Sequence, residues 1–201
     1  HISEKTLFVV TADHGEEFFD HGGRGHSHTL YDELIKVPLV MRNHSLVLKK
    51  GCSINQQIQL IDLPATVLDF LDIQAPDTMR GKSLVPLMNG SAPGEGSSCA
   101  LSYTTRGKKS FASSQERELW KKQTGSERVT LESLRVGNQW KLISGNDGHT
   151  RLFNVQEDPE EQHNLDTREP EKLMELRHTL IDERAHLNQC VPANGNTLLD
   201  P

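Results

Sequence analysis

Residues 11–41 read TADHGEEFFDHGGRGHSHTLYDELIKVPLVM, and the rest of the chain is arranged around them. An acid and an imidazole stand side by side, Asp13 and His14, followed by His21, His26 and His28 in a loop that carries Gly22, Gly23 and Gly25. The preceding run, residues 6–11 (TLFVVT), is β-branched and aromatic without polar alternation, the pattern of a strand buried on both faces. Asp13 and His14 therefore fall at a strand's carboxyl end, the edge of an open parallel α/β sheet where ligands bind. Gly15 lets the chain turn sharply directly behind them. Successive residues of an extended strand point to opposite faces, so the pair can meet at one ion only if the backbone bends there.

The residue types suit that meeting. A carboxylate oxygen and a neutral imidazole nitrogen both ligate divalent ions, and such an ion polarises a phosphoryl or sulfuryl oxygen or activates a nucleophile. Two ligands do not complete a site, because zinc takes about three protein ligands and calcium about six oxygens or more. The remaining ligands must come from elsewhere. Downstream, residues 29–36 read as a short helix running into a second buried strand over residues 37–42.

Composition bounds the reading. A length of 201 residues suits one domain, or one and a piece. With 34% hydrophobic and 5% aromatic residues, a dense self-sufficient core is not expected. The net charge of −6 argues against a nucleic-acid partner, and an anionic substrate then needs a local field from a metal, His or Arg. No apolar run is long enough to span a membrane. Cys52, Cys99 and Cys190 lack metal-ligand spacing, and their odd number permits at most one internal disulfide.

Residues 57–61 (QIQLI) read as a short strand, and Asp62 then caps a helix that places Leu63, Thr66, Val67, Phe70 and Leu71 at helical spacing. Residues 91–98 (SAPGEGSS) read as a linker, which divides the chain into 1–90 and 91–201. Beyond it come a strand at 100–104, a polar excursion at 106–128 and three strands at 129–136, 140–144 and 150–155. Within the excursion a short helix over 115–122 is anchored by Trp120. Gly137-Asn138 and the run GNDG at 145–148 are hairpin signals, so the three strands form an antiparallel sheet. A helix over 170–188 sets Leu173, Leu176, Leu180 and Ile181 on one face to cover that sheet, and a tail follows from 191.

TADHGEEFFDHG, followed by GHSHTLYDELIKVPLVMR, resembles the last part of the catalytic domain of the sulfatase family, within the alkaline phosphatase superfamily. IQLIDLPATVLDFLDI, RGKSLVPLMNG, SLRVGNQWKLI and RLFNVQEDPEEQHNL resemble later steps of the same family. The resemblance implies an α/β fold: the last part of a doubly wound alkaline-phosphatase-like sheet, then a small α+β antiparallel-sheet subdomain with a C-terminal helix. It implies metal-dependent hydrolysis of a small-molecule or carbohydrate sulfate ester. Asp13 and His14 match the family's ligand pair for one divalent ion, calcium foremost, with manganese or zinc as alternatives.

His26 falls where phosphonate hydrolases and phosphoethanolamine transferases of the superfamily place a histidine facing the transferred group. It is thereby the candidate catalytic residue, donating a hydrogen bond to the anion or acting as general acid. Many sulfatases hold sulfate with a lysine just before the (S/T)LY step. No lysine lies between Gly15 and Thr29 here, which leaves Arg24, His26 and His28 for substrate binding. His21 and His28, lacking a clear counterpart, also read as loop packing.

The family's formylglycine arises from a C/S-x-P-x-R motif that surrounds none of the three cysteines, so the nucleophile is expected outside this chain, in a preceding part, and the piece alone is expected to be inactive. A secreted, periplasmic or lysosomal setting is implied by resemblance only. Two alternatives stand beside this reading. One is a phosphatase, phosphonate hydrolase or phosphoethanolamine-type transferase of the same superfamily; the other is an inert binding or scaffold module.

Overall fold

Alternating side chains and two glycine turns account for the largest sheet. The structure, a computed structural model, describes residues 6–43, 53–90, 98–106, 114–124 and 129–189. Strands β6 (Val129–Val136), β7 (Trp140–Gly145) and β8 (Thr150–Asn154) are successive antiparallel hairpins, and β5 (Cys99–Arg106) joins β6 at the edge, giving the order β5-β6-β7-β8. Gly137 and Gly148 occupy left-handed φ values of 55° and 79° at the two turns, where a side chain is costly.

With period two, the sheet has two differently loaded faces. Leu134, Leu142 and Leu152 lie in register across three strands and are fully buried against Leu176 and Leu180 of the terminal helix α5 (Pro170–Gln189). The opposite face presents Val129, Leu131, Ile143 and Phe153, and these pack against Leu30 and Tyr31 of the histidine-rich segment. Residues 30–35 are thus part of the small sheet's core, including Ile35 at the end of the short helix α1 (Asp32–Ile35).

The same face carries Arg135 directly opposite Lys141. Two like charges in register repel, and Asp32 resolves the clash by giving one oxygen to each, Oδ2 to Arg135 at 2.5 Å and Oδ1 to Lys141 at 2.7 Å. Lys141 is completely buried and also meets Glu161 at 2.8 Å, while Glu161 Oε2 accepts the Asp32 backbone N–H at 2.6 Å. This network joins α1 to the sheet by charge as well as by packing.

Several expectations need correction. Residues 7–11 (β1, Leu7–Thr11) and 39–43 (β4, Leu39–Asn43) are strands, but they pair antiparallel with one another and are not buried on both faces. Phe8, Val10 and Val40 are 51%, 63% and 61% exposed, because no further strand or helix among the described residues covers them. No parallel pair occurs among the described residues.

Residues 57–61 form no strand. The Gln59 side chain instead accepts the Leu101 N–H at 3.3 Å, and Gln57 donates to the Arg135 carbonyl at 3.2 Å, so amide side chains replace a backbone ladder. Asp62 does not cap helix α2 (Asp62–Phe70) from outside; it is that helix's first residue. Its carboxylate accepts the backbone N–H groups of Gln59 and Lys82, at 2.8 and 2.9 Å. The buried face of α2 is Asp62, Ala65 and Thr66, with Leu71 62% exposed.

A further short helix, α3 (Val85–Met88), follows, and the excursion contains helix α4 (Ser114–Thr124). The anchoring assigned to Trp120, the linker over 91–97 and the tail from 191 lie outside the described residues. Ile181 leaves the packed face of α5 and is 58% exposed.

Candidate functional site

β1 ends at Thr11, and the chain bends at Asp13, as convergence of the pair requires. Asp13 Oδ2 and His14 Nε2 then lie 3.8 Å apart, a separation two donors can span while each sits about 2.3 Å from one ion. Asp13 Oδ1 accepts the His14 backbone N–H at 3.0 Å, which fixes the carboxylate. His14 Nδ1 faces the Gly15 carbonyl at 2.8 Å and therefore carries the proton, leaving Nε2 with a free lone pair. Metal-binding histidines are commonly oriented by such a bond on their other nitrogen. The donor set thus fits a divalent ion, as one oxygen and one nitrogen of a larger shell.

His26 is brought to this pair by a small hairpin. Strands β2 (Glu17–Phe18) and β3 (Arg24–Gly25) pair Glu17 with Gly25 and Phe18 with Arg24. Continuing that register one step outward sets Glu16 against His26, and Glu16 Oε2 lies 3.0 Å from His26 Nδ1. The His26 ring stands over His14 with centroids 4.4 Å apart. His14, Glu16 and His26 each offer a ligand atom within 4.8 Å of the others. Asp13, His14 and His26 open onto one cleft of about 1230 Å³, whose far wall includes Gln57, Tyr103 and Arg135.

Beneath the hairpin lies a buried acid. Glu17 is 1% exposed, and its carboxylate receives the N–H groups of Gly23 at 2.6 Å and His21 at 3.1 Å, with His28 Nε2 at 2.6 Å. Burial pushes this carboxyl up, but the Gly23 N–H, His28 and the His21 N–H outweigh it and hold the group below its usual range. His21 stacks on Tyr31 with centroids 3.5 Å apart; its Nδ1 meets Glu33 at 2.7 Å and its Nε2 the Glu161 carbonyl at 3.1 Å. The loop is therefore fastened to both α1 and the segment that follows β8.

Of the residues singled out in the sequence, the structure brings Asp13, His14 and His26 to one cleft. It does not bring Arg24 or His28 there. Arg24 is exposed on the hairpin opposite Phe18, and His28 is spent on Glu17. Glu16 was missed. The signal was its place ten residues before His26, flanking a Gly-rich turn, but the pairing register of a two-residue ladder is not visible in sequence. Gly15 also has a different purpose from the sharp turn expected of it. A Cβ there would lie 1.9 Å from the Glu33 carbonyl oxygen, and Gly15 N–H donates to the Leu34 carbonyl at 2.8 Å, so the glycine permits close approach of α1.

The chain is similar to known proteins in sequence and in fold. The family model described as N-sulphoglucosamine sulphohydrolase, C-terminal, matches residues 18–105. Arylsulfatase K of Xenopus laevis is 27% identical over 175 residues, covering 86% of this chain and 30% of that protein. Among solved structures, the phosphonate monoester hydrolase of Silicibacter pomeroyi is similar at a TM-score of 0.72 and 27% identity, over 91% of this chain and 35% of that one. A 2-O GAG sulfatase shares the fold at a TM-score of 0.70 and 21% identity, over 91% and 37%. The chain spans about a third of the length of these relatives.

Proposed function

We propose that this chain, similar in sequence and fold to the C-terminal part of sulfatases, contributes part of the metal site and the ester-facing histidine of a sulfuric ester hydrolase of the alkaline phosphatase superfamily. The observation that carries the proposal is the meeting of Asp13, His14 and His26 at the bend after β1. Asp13 and His14 hold a divalent ion, calcium foremost, and when bound that ion neutralises charge on the ester's oxygens. Asp13 is fixed by the His14 N–H and His14 by the Gly15 carbonyl, so neither has to reorganise on binding. His26 lines the cleft with Nδ1 engaged by Glu16, and when the ring carries both protons Nε2–H is the one left to give a hydrogen bond or a proton to the ester.

The nucleophile belongs to a preceding part of the protein. The exposed apolar faces of β1 and β4 pack in that context, as strands of a larger doubly wound sheet. The substrate is a small-molecule or carbohydrate sulfate ester, a reading supported by two similar proteins, one solved with a glucosamine disulfate as its substrate and one named as an ulvan-active sulfatase. No helix among the described residues is long and apolar enough to cross a membrane.

A paired assay of the complete protein tests the proposal. Turnover of 4-nitrophenyl sulfate that EDTA abolishes and calcium restores is the expected result. Turnover of 4-nitrophenyl phenylphosphonate in strong preference to the sulfate would move the activity to the phosphonate branch. Failure to turn over either, with the metal bound, would favour an inert module.

A further inference from the structure

Glu16 has no part in the reading above, yet it is the acid that touches His26. Its Oε2 lies 3.0 Å from His26 Nδ1, and the two side chains are partly exposed, Glu16 at 40% and His26 at 49%. The backbone fixes this contact, since the pairing of Glu17 with Gly25 and Phe18 with Arg24 places residues 16 and 26 opposite one another at the hairpin's open end. Glu17, the neighbour on the other face, is fully engaged by Gly23, His21 and His28 and is not available to His26.

A carboxylate is an acceptor only, so the nitrogen facing it carries a proton. With Nδ1–H given to Glu16, the ring's orientation is set, and in the doubly protonated ring Nε2–H is the donor left for an anionic ligand. The His14, Glu16 and His26 ligand atoms are close enough to share an ion, but an ion taken by Glu16 Oε2 would break its bond to His26.

We propose that Glu16 is a positioning residue for His26: it accepts Nδ1–H, holds the ring over His14 and leaves Nε2–H as the donor to the sulfate ester. The proposal rests on the reading that His26 faces the ester, and it adds the group that makes the facing nitrogen unique. The precedent in physical chemistry is the carboxylate that orients a working imidazole, whose loss costs about 10- to 100-fold in affinity or activity.

Two measurements separate this inference from the reading beneath it. The first is the nitrogen-15 spectrum of the His26 ring in the chain and in Glu16→Ala and Glu16→Gln, which reports which nitrogen is protonated. Nδ1–H is expected in the unsubstituted chain, retained in Glu16→Gln through its amide oxygen, and lost to a mixture of tautomers in Glu16→Ala. The second is steady-state turnover of 4-nitrophenyl sulfate and of an alkyl sulfate by the complete protein carrying Glu16→Ala, Glu16→Gln or His26→Gln.

Glu16→Ala is expected to lower kcat about 10- to 100-fold with KM changed less than about twofold, and Glu16→Gln to recover part of the loss. A loss larger for the alkyl than for the aryl ester marks proton delivery to the leaving oxygen. An unchanged His26 tautomer in Glu16→Ala overturns the positioning role, whatever turnover does. If the tautomer moves while His26→Gln keeps full turnover, Glu16 does orient the ring and it is the catalytic use of His26 that fails.

Discussion

One methyl group at Gly15 is enough to separate β1 from α1. The ideal Cβ position is 1.9 Å from the Glu33 carbonyl oxygen, backbone that cannot swing aside, whereas at Gly22 a Cβ meets nothing within 4 Å and only its φ of 84° resists. Gly15→Ala is therefore expected to displace His14 and weaken ion binding by the complete protein at least about 10-fold, while Gly22→Ala costs about 1 kcal/mol and leaves binding unchanged. Calcium titration calorimetry with thermal melts checks both.

Glu17 is the second residue on which the loop depends. Its folded pKa is depressed, so its contribution is complete above the ordinary carboxylate value near about 4 and is lost as pH falls through the lower folded value. Glu17→Ala leaves the Gly23 and His21 N–H groups without their acceptor, at a cost of about 1–3 kcal/mol. It also flattens the acid limb of the melting temperature against pH. A variant with the same melting temperature as the parent at pH 7 would contradict this.

At the scale of elements, the terminal helix makes the sharpest prediction. Leu176 is 1% exposed and packs on Leu134, Leu142 and Leu152, so Leu176→Ala is expected to cost about 2–5 kcal/mol. Ile181 shares the apolar spacing in sequence but is 58% exposed, and Ile181→Ala is expected within about 0.5 kcal/mol of the parent. Urea unfolding of the two variants distinguishes them.

The same contrast shows what was legible in the residues. The strand at 129–136 and the hairpins around Gly137 and Gly148 could be read directly, because turn chemistry and alternation are local. The meeting of Asp13 and His14 was legible as a condition, a bend after the strand, and the bend is there. Glu16 was not legible, since its approach to His26 depends on a two-residue ladder. The exposure of Phe8 and Val10 was misread because an apolar run shows that a strand needs cover without showing where the cover comes from. Asp62 looked like a cap, but its acceptors' partners lie as far away as Lys82.

Across the whole molecule, the small sheet does more than follow the site; it holds the site loop. Asp32 and Arg135, both half-buried, form one network with the buried Lys141 and Glu161. Burial pushes the Asp32 carboxyl up, but Lys141 and Arg135 hold it below its usual range. Glu161 goes the other way: burial and the charge of Asp32 raise it against the pull of Lys141. The two carboxyls therefore pull stability in opposite directions with pH. Asp32 loses its contribution as pH falls below its depressed value, while protonation of Glu161 relieves strain first.

Removing the cation both share is the stronger perturbation. Lys141→Met leaves two buried acids with one arginine and is expected to cost about 3–5 kcal/mol. It should also loosen the loop, seen as faster amide exchange at residues 29–35, remote from the substitution in sequence. Unchanged exchange there would show that packing of Leu30 and Tyr31 suffices.

The most direct measurement is the bound-metal content of the complete protein by elemental analysis, compared with Asp13→Ala and His14→Ala and read beside turnover of 4-nitrophenyl sulfate. About one divalent ion per chain in the parent, lost in both variants together with at least about a thousandfold of turnover, is the result expected if Asp13 and His14 hold the ion. Variants that keep the full ion content and the parent's turnover would contradict the assignment of the site.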